Sequence, residues 1–410
     1  MDKRRYGKTL SACLAGVFNQ AVITNVTALL FVPLADLYGF TFAQLGLLTA
    51  INFAAQMLAD VFLMLFIGRF SHKKLAVFAA AVSCAGLLFY GGVPFIFSGG
   101  ALYGGIAGAT AVFAFAGGML EVVLNAVADR LPEGTPVTIC FLHTAYAWAQ
   151  AGLALLLFGC IALFGTESWH YAMFVLALVP LSAIALLSGA DMPEEENPVK
   201  KEHSFFTEGS GLPPRGKGGF GAFYVFALAA IFFGYGSEVC MNQWVSTLFS
   251  ETAGGGGYVG EFFGAAAFAV CLGLGGLFYV RLGSRKKASR SALFFSALAV
   301  FVCFLGAGGL GGGASFAFAA ACGLFVGWLS PGVMTVASEN LPGGGRMLAS
   351  LAVASDLGAA ALPALAGALS GEAGLRSSFF LLSAAPLLCA VALFAMRKCR
   401  RSAARSLFFE

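Results

Sequence analysis

Charged side chains are scarce in this sequence. Asp, Glu, Lys and Arg together make up 11% of its 410 residues, whereas hydrophobic residues make up 59% and the mean hydropathy is +0.86. A soluble domain carries about 25% charged residues, so this chain could not cover a water-soluble fold with a polar surface. The composition excludes an ordinary soluble protein and predicts that most of the chain faces lipid.

Groups that hold metals or attack substrates are also few. The chain contains four histidines, and its ten cysteines include no CxxC pair, so neither a zinc nor an iron–sulfur site is expected. The cysteines lie in apolar runs or in the basic tail, which argues against disulfides. The glycine runs 254–257 and 343–345 lack the arrangement that binds phosphates. We therefore expect no enzyme activity, no metal and no cofactor.

Apolar runs separated by short polar clusters dominate the chain. Each run reaches about 20 residues, the length that crosses the hydrocarbon core as a helix, and none alternates as barrel strands do. Because lipid cannot satisfy backbone groups, the runs are predicted to be helical. The twelve predicted transmembrane helices, numbered here as spans 1 to 12, cover residues 10–35, 42–67, 75–97, 101–127, 137–164, 169–190, 220–249, 258–281, 290–310, 313–337, 347–370 and 375–396.

The positive charges follow one set of loops. If odd-numbered spans run outward, every Lys and Arg except Arg376 falls on the inner side. Because cytoplasmic loops carry the excess of Lys and Arg in membrane proteins, we expect a multi-pass protein of the cell membrane (inner or plasma membrane) with both termini in the cytoplasm. The net charge of +4 is explained by contact with lipid head groups, and no nucleic-acid partner is expected.

The two halves of the chain resemble each other. GRFSHKK (68–74) follows span 2 and RLGSRKK (281–287) follows span 8. NAVADRLPEG (125–134) ends span 4 and TVASENLPGG (335–344) ends span 10. Two such matches, each at the equivalent place in its half, indicate an internal duplication.

A polar stretch, 191–219, separates the halves and carries Pro, Gly and both charge signs, as a linker does. We predict an N-terminal six-helix bundle (1–190), a cytoplasmic linker (191–219) and a C-terminal six-helix bundle with a basic cytoplasmic tail (220–410). Parallel six-helix repeats of this kind are one known transporter plan.

These features resemble the major facilitator superfamily over nearly the whole chain. Its signature is a basic loop between helices 2 and 3, roughly G-x-x-x-D-R-x-G-R-K. The first copy here keeps Arg69 but has Gly68 in place of the Asp, and the second keeps Arg281, Gly283 and Arg285. The resemblance implies an all-α integral membrane protein whose twelve transmembrane helices form two pseudo-symmetric six-helix bundles. It also implies a gating role for Arg69, Arg281 and Arg285.

Within that superfamily, three stretches resemble the fucose permease-like sugar–proton symporters. They are NQAVITNVTALLF (19–31), GGMLEVVLNAVADRLP with LHTAYAW (117–132 and 142–148) and GSEVCMNQWVSTLF (236–249). In that family a glutamate in helix 4 couples transport to the proton, and Glu121 stands at the matching place. The family's second acid, in helix 1, is replaced here by neutral polar residues.

Glu121 stands after a long uncharged run. A charge at such a depth costs about 3 kcal/mol on insertion scales, so the carboxyl must be paired, protonated or functional. A neutral acid can take up and release a proton as its surroundings open to alternate sides; the alternative is a protonated structural glutamate bonded to a neighbouring helix. Because intramembrane acids are functional by default, we predict proton coupling by Glu121 and, second, by Glu238 in span 7.

Other polar residues recur at helical spacing on several spans, as His143, Tyr146 and Gln150 do on span 5. Amides match sugar hydroxyls, and an indole offers a flat apolar face; contacts between helices, a packed histidine and an interfacial tryptophan are the alternatives. The predicted substrate-binding residues are Gln20, Asn25, Asn52, Gln56, Asn125, His143, Tyr146, Gln150, Asn242 and Trp244. The predicted gating residues are Asp60 and Asp356, with Arg69, Arg281 and Arg285.

The sequence thus predicts a secondary active transporter. We expect it to move a small polar solute, a sugar or polyol, by alternating access and by proton symport, with the proton gradient as the driving force. Proton-coupled efflux of amphipathic compounds is the alternative, since the chain contains 42 phenylalanines that could line an apolar pocket. The expected partners are the solute and the lipid bilayer, and we expect a monomer.

Overall fold

The computed structural model describes residues 3–66, 70–128, 135–192, 218–252, 258–283, 286–341 and 344–406. These residues form α-helices joined by short turns. The helices are Lys3–Leu29, Phe31–Tyr38, Phe42–Phe66, His72–Ile96, Gly100–Ala128, Thr135–Phe164, Trp169–Leu176, Leu178–Gly189, Gly218–Thr252, Tyr258–Gly283, Lys286–Gly309, Gly312–Val326, Leu329–Asn340, Gly344–Leu382 and Ala384–Ser406, with one turn of 3₁₀-helix at Thr166–Ser168.

The twelve predicted spans are confirmed by these helices. Among the described residues, eleven stretches are long and apolar enough to cross a membrane, and the apolar part of span 8 is the shorter segment Phe262–Phe278. Spans 11 and 12 meet at Gly374, whose positive φ of 75° interrupts the helix Gly344–Leu382. The observed bounds differ from the predicted ones by several residues, mostly because helices continue past the apolar run into polar residues.

Prolines explain where the spans break into shorter helices. A proline cannot donate its backbone N–H, and its ring clashes with the carbonyl group four residues earlier. Helices end at Leu29, Leu176 and Leu382, in each case four residues before a proline (Pro33, Pro180 and Pro386). The helix before Pro331 ends one residue earlier still, at Val326.

The spans pack into two bundles that meet along two pairs of helices. Within the first bundle, span 3 packs against spans 4 and 6; within the second, span 7 packs against spans 11 and 12. Between the bundles, span 2 lies along span 11 and span 5 lies along span 8. Large apolar side chains remain exposed along the outer surface, among them Phe95, Leu163 and Phe164, as a lipid-facing surface requires.

The bundles approach closely at the end of the molecule that carries the short helix Phe31–Tyr38, which we call the closed end. A Cβ added at Gly46 on span 2 would lie 3.0 Å from the carbonyl oxygen of Pro363 on span 11. A Cβ added at Gly367 would clash with the carbonyl oxygen of Phe42. The absence of side chains at these two glycines therefore permits spans 2 and 11 to touch. If the charge pattern predicts the orientation correctly, this end faces outward.

Some predictions fall where the structure says little. Residues 193–217 of the predicted linker, together with Arg69 and Arg285, lie outside the described residues. Arg281 is described only as part of the last turn of span 8. The bounds of the two domains and the gating roles of these arginines stay predictions.

Candidate transport site

Glu121 contacts span 1 near the middle of the first bundle. Its Oε2 accepts a hydrogen bond of 2.5 Å from Nε2 of Gln20. Gln20 is buried, whereas Glu121 is partly exposed. Among the described residues no Lys, Arg or His pairs with the carboxyl. Glu121 is therefore held by a neutral amide, and a change in its protonation would not break an ion pair.

Amide side chains from both bundles meet beside this acid. Asn25 on span 1 donates through Nδ2 to the hydroxyl of Tyr146 on span 5 at 2.9 Å. Its Oδ1 accepts from Nδ2 of Asn242 on span 7, also at 2.9 Å. Nε2 of Gln150 donates to Oδ1 of the same Asn242. We call Asn25, Tyr146, Gln150 and Asn242 the amide junction; it joins four predicted substrate-binding residues across the bundle interface.

Two further predicted binding residues bond within the first bundle. Nε2 of Gln56 donates to Oδ1 of Asn52, and Nδ2 of Asn52 donates to the carbonyl oxygen of Ile23 at 3.2 Å. Both amides are buried, and each is bonded to a group of spans 1 and 2. Asn125, one turn beyond Glu121, is partly exposed instead.

His143 is the most open of the predicted binding residues. It is exposed and lies one and two turns before Tyr146 and Gln150, on the same face of span 5. Because those two residues reach toward spans 1 and 7, this face points to the interface between the bundles rather than to lipid. By its accessible surface His143 is therefore exposed on the side of span 5 that faces the interface between the bundles, and its role in lining a cavity stays a prediction.

The remaining acids converge on the same region. Tyr235 on span 7 lies within electrostatic range of Glu121, Glu238 and Asp356. Asp60 on span 2 lies within the same range of Asp356. Within the described residues no group of three or more His, Cys, Asp or Glu is arranged to hold a metal ion.

Trp244, one of the predicted binding residues, is enclosed in this structure and lies apart from the partly exposed polar residues. Its side chain is completely buried, and its indole N–H donates to the carbonyl oxygen of Pro363 at 3.0 Å. The rings of Phe31 and Phe42 pack against it with centroids 4.9 and 6.0 Å away. Full burial also excludes the alternative of a tryptophan at the lipid interface. In this conformation Trp244 fills the closed end.

Gln243, which is not among the predicted site residues, also joins the bundles. Its Nε2 donates to Oδ1 of Asn25 at 3.4 Å, and its Oε1 accepts from the hydroxyl of Thr49 on span 2 at 3.5 Å. Helical neighbours point about 100° apart, so a stripe drawn through Asn242 excludes Gln243. The one feature of the sequence that could have indicated this role is the presence of an amide side chain inside an apolar span.

These polar residues thus lie at the junction of two six-helix bundles, on spans 1, 2, 4, 5, 7 and 11, and we call the region that they share the polar chamber. The family model of the Major Facilitator Superfamily matches residues 12–344. The chain belongs to the Major Facilitator Superfamily. Membership identifies it as a multi-pass membrane transporter. The proteins of this family are transporters and not enzymes, so the expectation of no enzyme activity is confirmed by the family match.

Solved structures of other superfamily transporters share this fold at low sequence identity. The fucose:proton symporter FucP of E. coli is 15% identical, with 95% of this chain and 99% of that chain covered and a TM-score of 0.62. The inward-open xylose transporter XylE of E. coli is 12% identical, with 95% and 96% covered and a TM-score of 0.74. A bacterial homologue of the human lysosomal transporter Spinster, inward-facing, is 14% identical, with 98% of both chains covered and a TM-score of 0.69.

No curated protein sequence matches this chain. The structural likenesses show the superfamily fold, and the transported solute has to be inferred from the chamber itself.

Proposed function

We propose that this transporter moves a small polar solute, a sugar or polyol, in symport with protons. The observation that carries the proposal is the arrangement at the bundle junction. Glu121, held by the neutral amide of Gln20 and by no cation among the described residues, stands beside amides that link the two bundles. A site of this kind offers one proton-binding group and many hydrogen bonds to neutral solutes.

The chemistry of the amide junction favours hydroxylated solutes. Each Asn or Gln side chain presents a carbonyl acceptor and an NH₂ donor, and a sugar hydroxyl can both donate and accept. In the present conformation Asn242 bonds to both Asn25 and Gln150, and Asn25 also bonds to Tyr146. A solute with several hydroxyl groups can replace these bonds without leaving a buried amide unsatisfied, which would cost about 1–3 kcal/mol.

Two of the structurally similar proteins are described as a fucose:proton symporter and a xylose transporter. The third, the homologue of Spinster, has no solute in its description, so the superfamily fold alone does not select sugars. The preference for a sugar or polyol rests on the neutral amides of the chamber.

Coupling follows from the position of Glu121 in the chamber. A neutral glutamic acid lets the loaded transporter rearrange without moving a net charge through the membrane, which would be costly. Release of the proton on the inner side would then reset the carboxylate. Glu238, partly exposed and without a hydrogen-bond partner among the described residues, is the second candidate for this role.

Uptake into proteoliposomes tests the proposal. A gradient of one pH unit supplies about 1.4 kcal/mol, or a roughly tenfold accumulation for one proton per solute. We expect such accumulation for at least one member of a panel of labelled sugars and polyols, and we expect Glu121→Gln to abolish it while solute exchange without a gradient continues. The matched control is Glu167→Gln, at an exposed glutamate in the turn before span 6.

Three results would contradict the proposal. Full accumulation by Glu121→Gln would remove the coupling role from this residue. Accumulation driven by sodium and not by protons would change the coupling ion. Expulsion of amphipathic compounds on proton entry, with no sugar or polyol transported, would favour the efflux alternative.

A further inference from the structure

A groove opens between span 1 and the helix Leu178–Gly189 of span 6, at the end of the molecule opposite the closed end. Its volume is about 420 Å³, within the range of roughly 300–1,000 Å³ that small-molecule sites occupy. The groove is lined by Gly7, Lys8, Ser11, Ala185, Leu186 and Gly189. All six residues are exposed, so the groove opens to the outer surface of the first bundle.

Hydrogen bonds fix the walls of the groove. The hydroxyl of Thr9 donates to the carbonyl oxygen of Asp191 at 2.9 Å, which ties span 1 to the end of span 6. Nζ of Lys73, at the start of span 3, donates to the carbonyl oxygen of Ala190 at 3.0 Å. A Cβ added at Gly189 meets no atom within 4 Å, so small residues keep the space open. The groove is therefore formed by three helix ends that are bonded to one another.

The mouth of the groove is positively charged. Lys8 is exposed, and no acid in the described part of the chain is paired with its ammonium group. The hydroxyl of Ser11 bonds within its own helix, and Nζ of Lys73 lies beside the wall formed by span 6. Among the described residues, Asp191 is the acid nearest in sequence to either wall. An ammonium group with three donors is a common ligand of phosphate, so the mouth suits a phosphate group.

Further into the membrane, both walls become apolar. Leu178, Leu181 and Leu186 on span 6 and Phe18 on span 1 are between 45% and 61% exposed. From Ser11 to Phe18 the same face of span 1 runs for about 10 Å, and one leaflet of hydrocarbon is about 15 Å thick. A charged mouth beside an apolar strip of this length matches an amphiphile that carries a phosphate group and an acyl chain.

The apolar strip distinguishes a lipid from other anions. The acidic residues 194–196 of the linker follow span 6 and lie outside the described residues. Carboxylates would neutralise Lys8, but a charged segment cannot cover Leu178 and Leu181 without losing its hydration. A soluble phosphate would also leave the strip uncovered. A phospholipid satisfies both the charge at the mouth and the apolar surface beside it.

We propose that the groove between spans 1 and 6 binds an anionic phospholipid, whose phosphate is held by Lys8 and Ser11 and whose acyl chain lies along Leu186 and Leu181. The charge pattern predicts that this end faces the cytoplasm, where the membrane leaflet is rich in anionic lipids. A lipid bound there bridges spans 1 and 6. The inference goes beyond the proposed function and depends neither on the solute nor on the coupling ion.

Native mass spectrometry of the delipidated full-length protein tests the proposal, with phosphatidylglycerol and phosphatidylcholine of identical acyl chains as probes. The first head group carries a net negative charge and the second carries none. We expect phosphatidylglycerol to bind more tightly, by roughly fivefold for one lysine near the phosphate. The difference should shrink as salt is raised, because salt screens exposed charges. Phosphatidylglycerol should also raise the temperature of unfolding, because a ligand stabilises the state that it binds.

Substitutions separate the charge of the groove from its shape. Lys8→Gln should remove the preference for phosphatidylglycerol, and Lys8→Arg should keep it. Lys398→Gln, at an exposed lysine at the same end of the second bundle, should leave it unchanged. Gly189→Leu should weaken the binding of both lipids, because the added side chain fills the groove. Gly108→Leu is its control, since an added Cβ at this exposed glycine of span 4 also meets no atom within 4 Å.

Several results would overturn the proposal. Equal binding of the two lipids, or equal losses in Lys8→Gln and Lys398→Gln, would show that the groove does not select an anionic lipid. Unchanged binding by Gly189→Leu would place the lipid elsewhere. Stabilisation by glycerol 3-phosphate as large as that by phosphatidylglycerol would assign the groove to a soluble phosphate. Phosphatidylglycerol that binds only after residues 194–196 are changed to Gln would assign the groove to the linker.

Discussion

The two glutamates of the chamber differ in their neighbours, and this difference makes Glu121 the stronger candidate for proton coupling. Glu121 accepts a hydrogen bond from Gln20 on span 1. A change in its protonation state therefore alters the strength of a contact between spans 1 and 4. Glu238 has no hydrogen-bond partner among the described residues, and its effect on the bundles is limited to electrostatic interaction with groups such as Tyr235. We therefore expect the loss of Glu121 to affect coupling more than the loss of Glu238.

Asn242 offers a test of solute binding. It bonds to both Asn25 and Gln150, so Asn242→Ala removes an amide from the junction and leaves two partners to be satisfied elsewhere. If the solute bonds to this amide, the loss should cost about 1–3 kcal/mol, which raises the KM for uptake by a factor on the order of 5 to 150. The concentration dependence of uptake measures the change.

The matched control for that substitution is Asn340→Ala, since Asn340 bonds only to the backbone of its own helix, at Val336. A lower maximal rate with an unchanged KM would contradict a role in solute binding. That result would instead assign Asn242 to the contact that joins the bundles.

Sequence patterns predicted the polar residues of the chamber better than their partners. Helical spacing placed His143, Tyr146 and Gln150 on one face, and the structure directs that face toward spans 1 and 7. The bond between Asn25 and Asn242 joins residues far apart in the chain, and spacing along one helix cannot predict it. For the same reason the sequence could not show that Trp244 is enclosed by Phe31 and Phe42.

Among the helices, spans 2 and 11 make the contact that shuts the closed end. Gly367 lies against the carbonyl oxygen of Phe42 and beside the ring of Trp244. Gly367→Ala adds a Cβ where no room exists, and overpacking of this kind costs about 1–3 kcal/mol. We expect the population of the closed conformation, relative to the open one, to fall by a factor on the order of 5 to 150. Trp244 should therefore become accessible to water.

Acrylamide quenching of tryptophan fluorescence measures this opening. Quenching should increase in Gly367→Ala and stay at the wild-type level in Gly371→Ala, one turn further along span 11, where an added Cβ meets no atom within 4 Å. The increase should disappear when Trp244 is also replaced by Phe. Equal quenching in the two glycine variants would show that Gly367 does not control closure.

For the molecule as a whole, composition and the length of apolar runs predicted the fold class well because they report on the membrane rather than on tertiary contacts. Apolar run length predicted all twelve spans, and the repeat around LPEG (131–134) and LPGG (341–344) predicted the two bundles. Neither signal contains the distance between bundles, which depends on small residues such as Gly46 and Gly367 at the interface. The conformation therefore required coordinates.

The orientation in the membrane is the remaining prediction at this scale. The excess of Lys and Arg at the inner loops predicts that the turn before span 6 faces outward and the turn between spans 2 and 3 faces the cytoplasm. Glu167 and Lys74, both exposed, mark these two places.

In intact cells a membrane-impermeant maleimide should label Glu167→Cys, and it should label Lys74→Cys only after the membrane is permeabilised. The unsubstituted chain gives the background, because its described cysteines are buried or partly buried. Labelling with the opposite pattern would place the closed end on the cytoplasmic side, and the direction of transport inferred for Glu121 would have to be reversed.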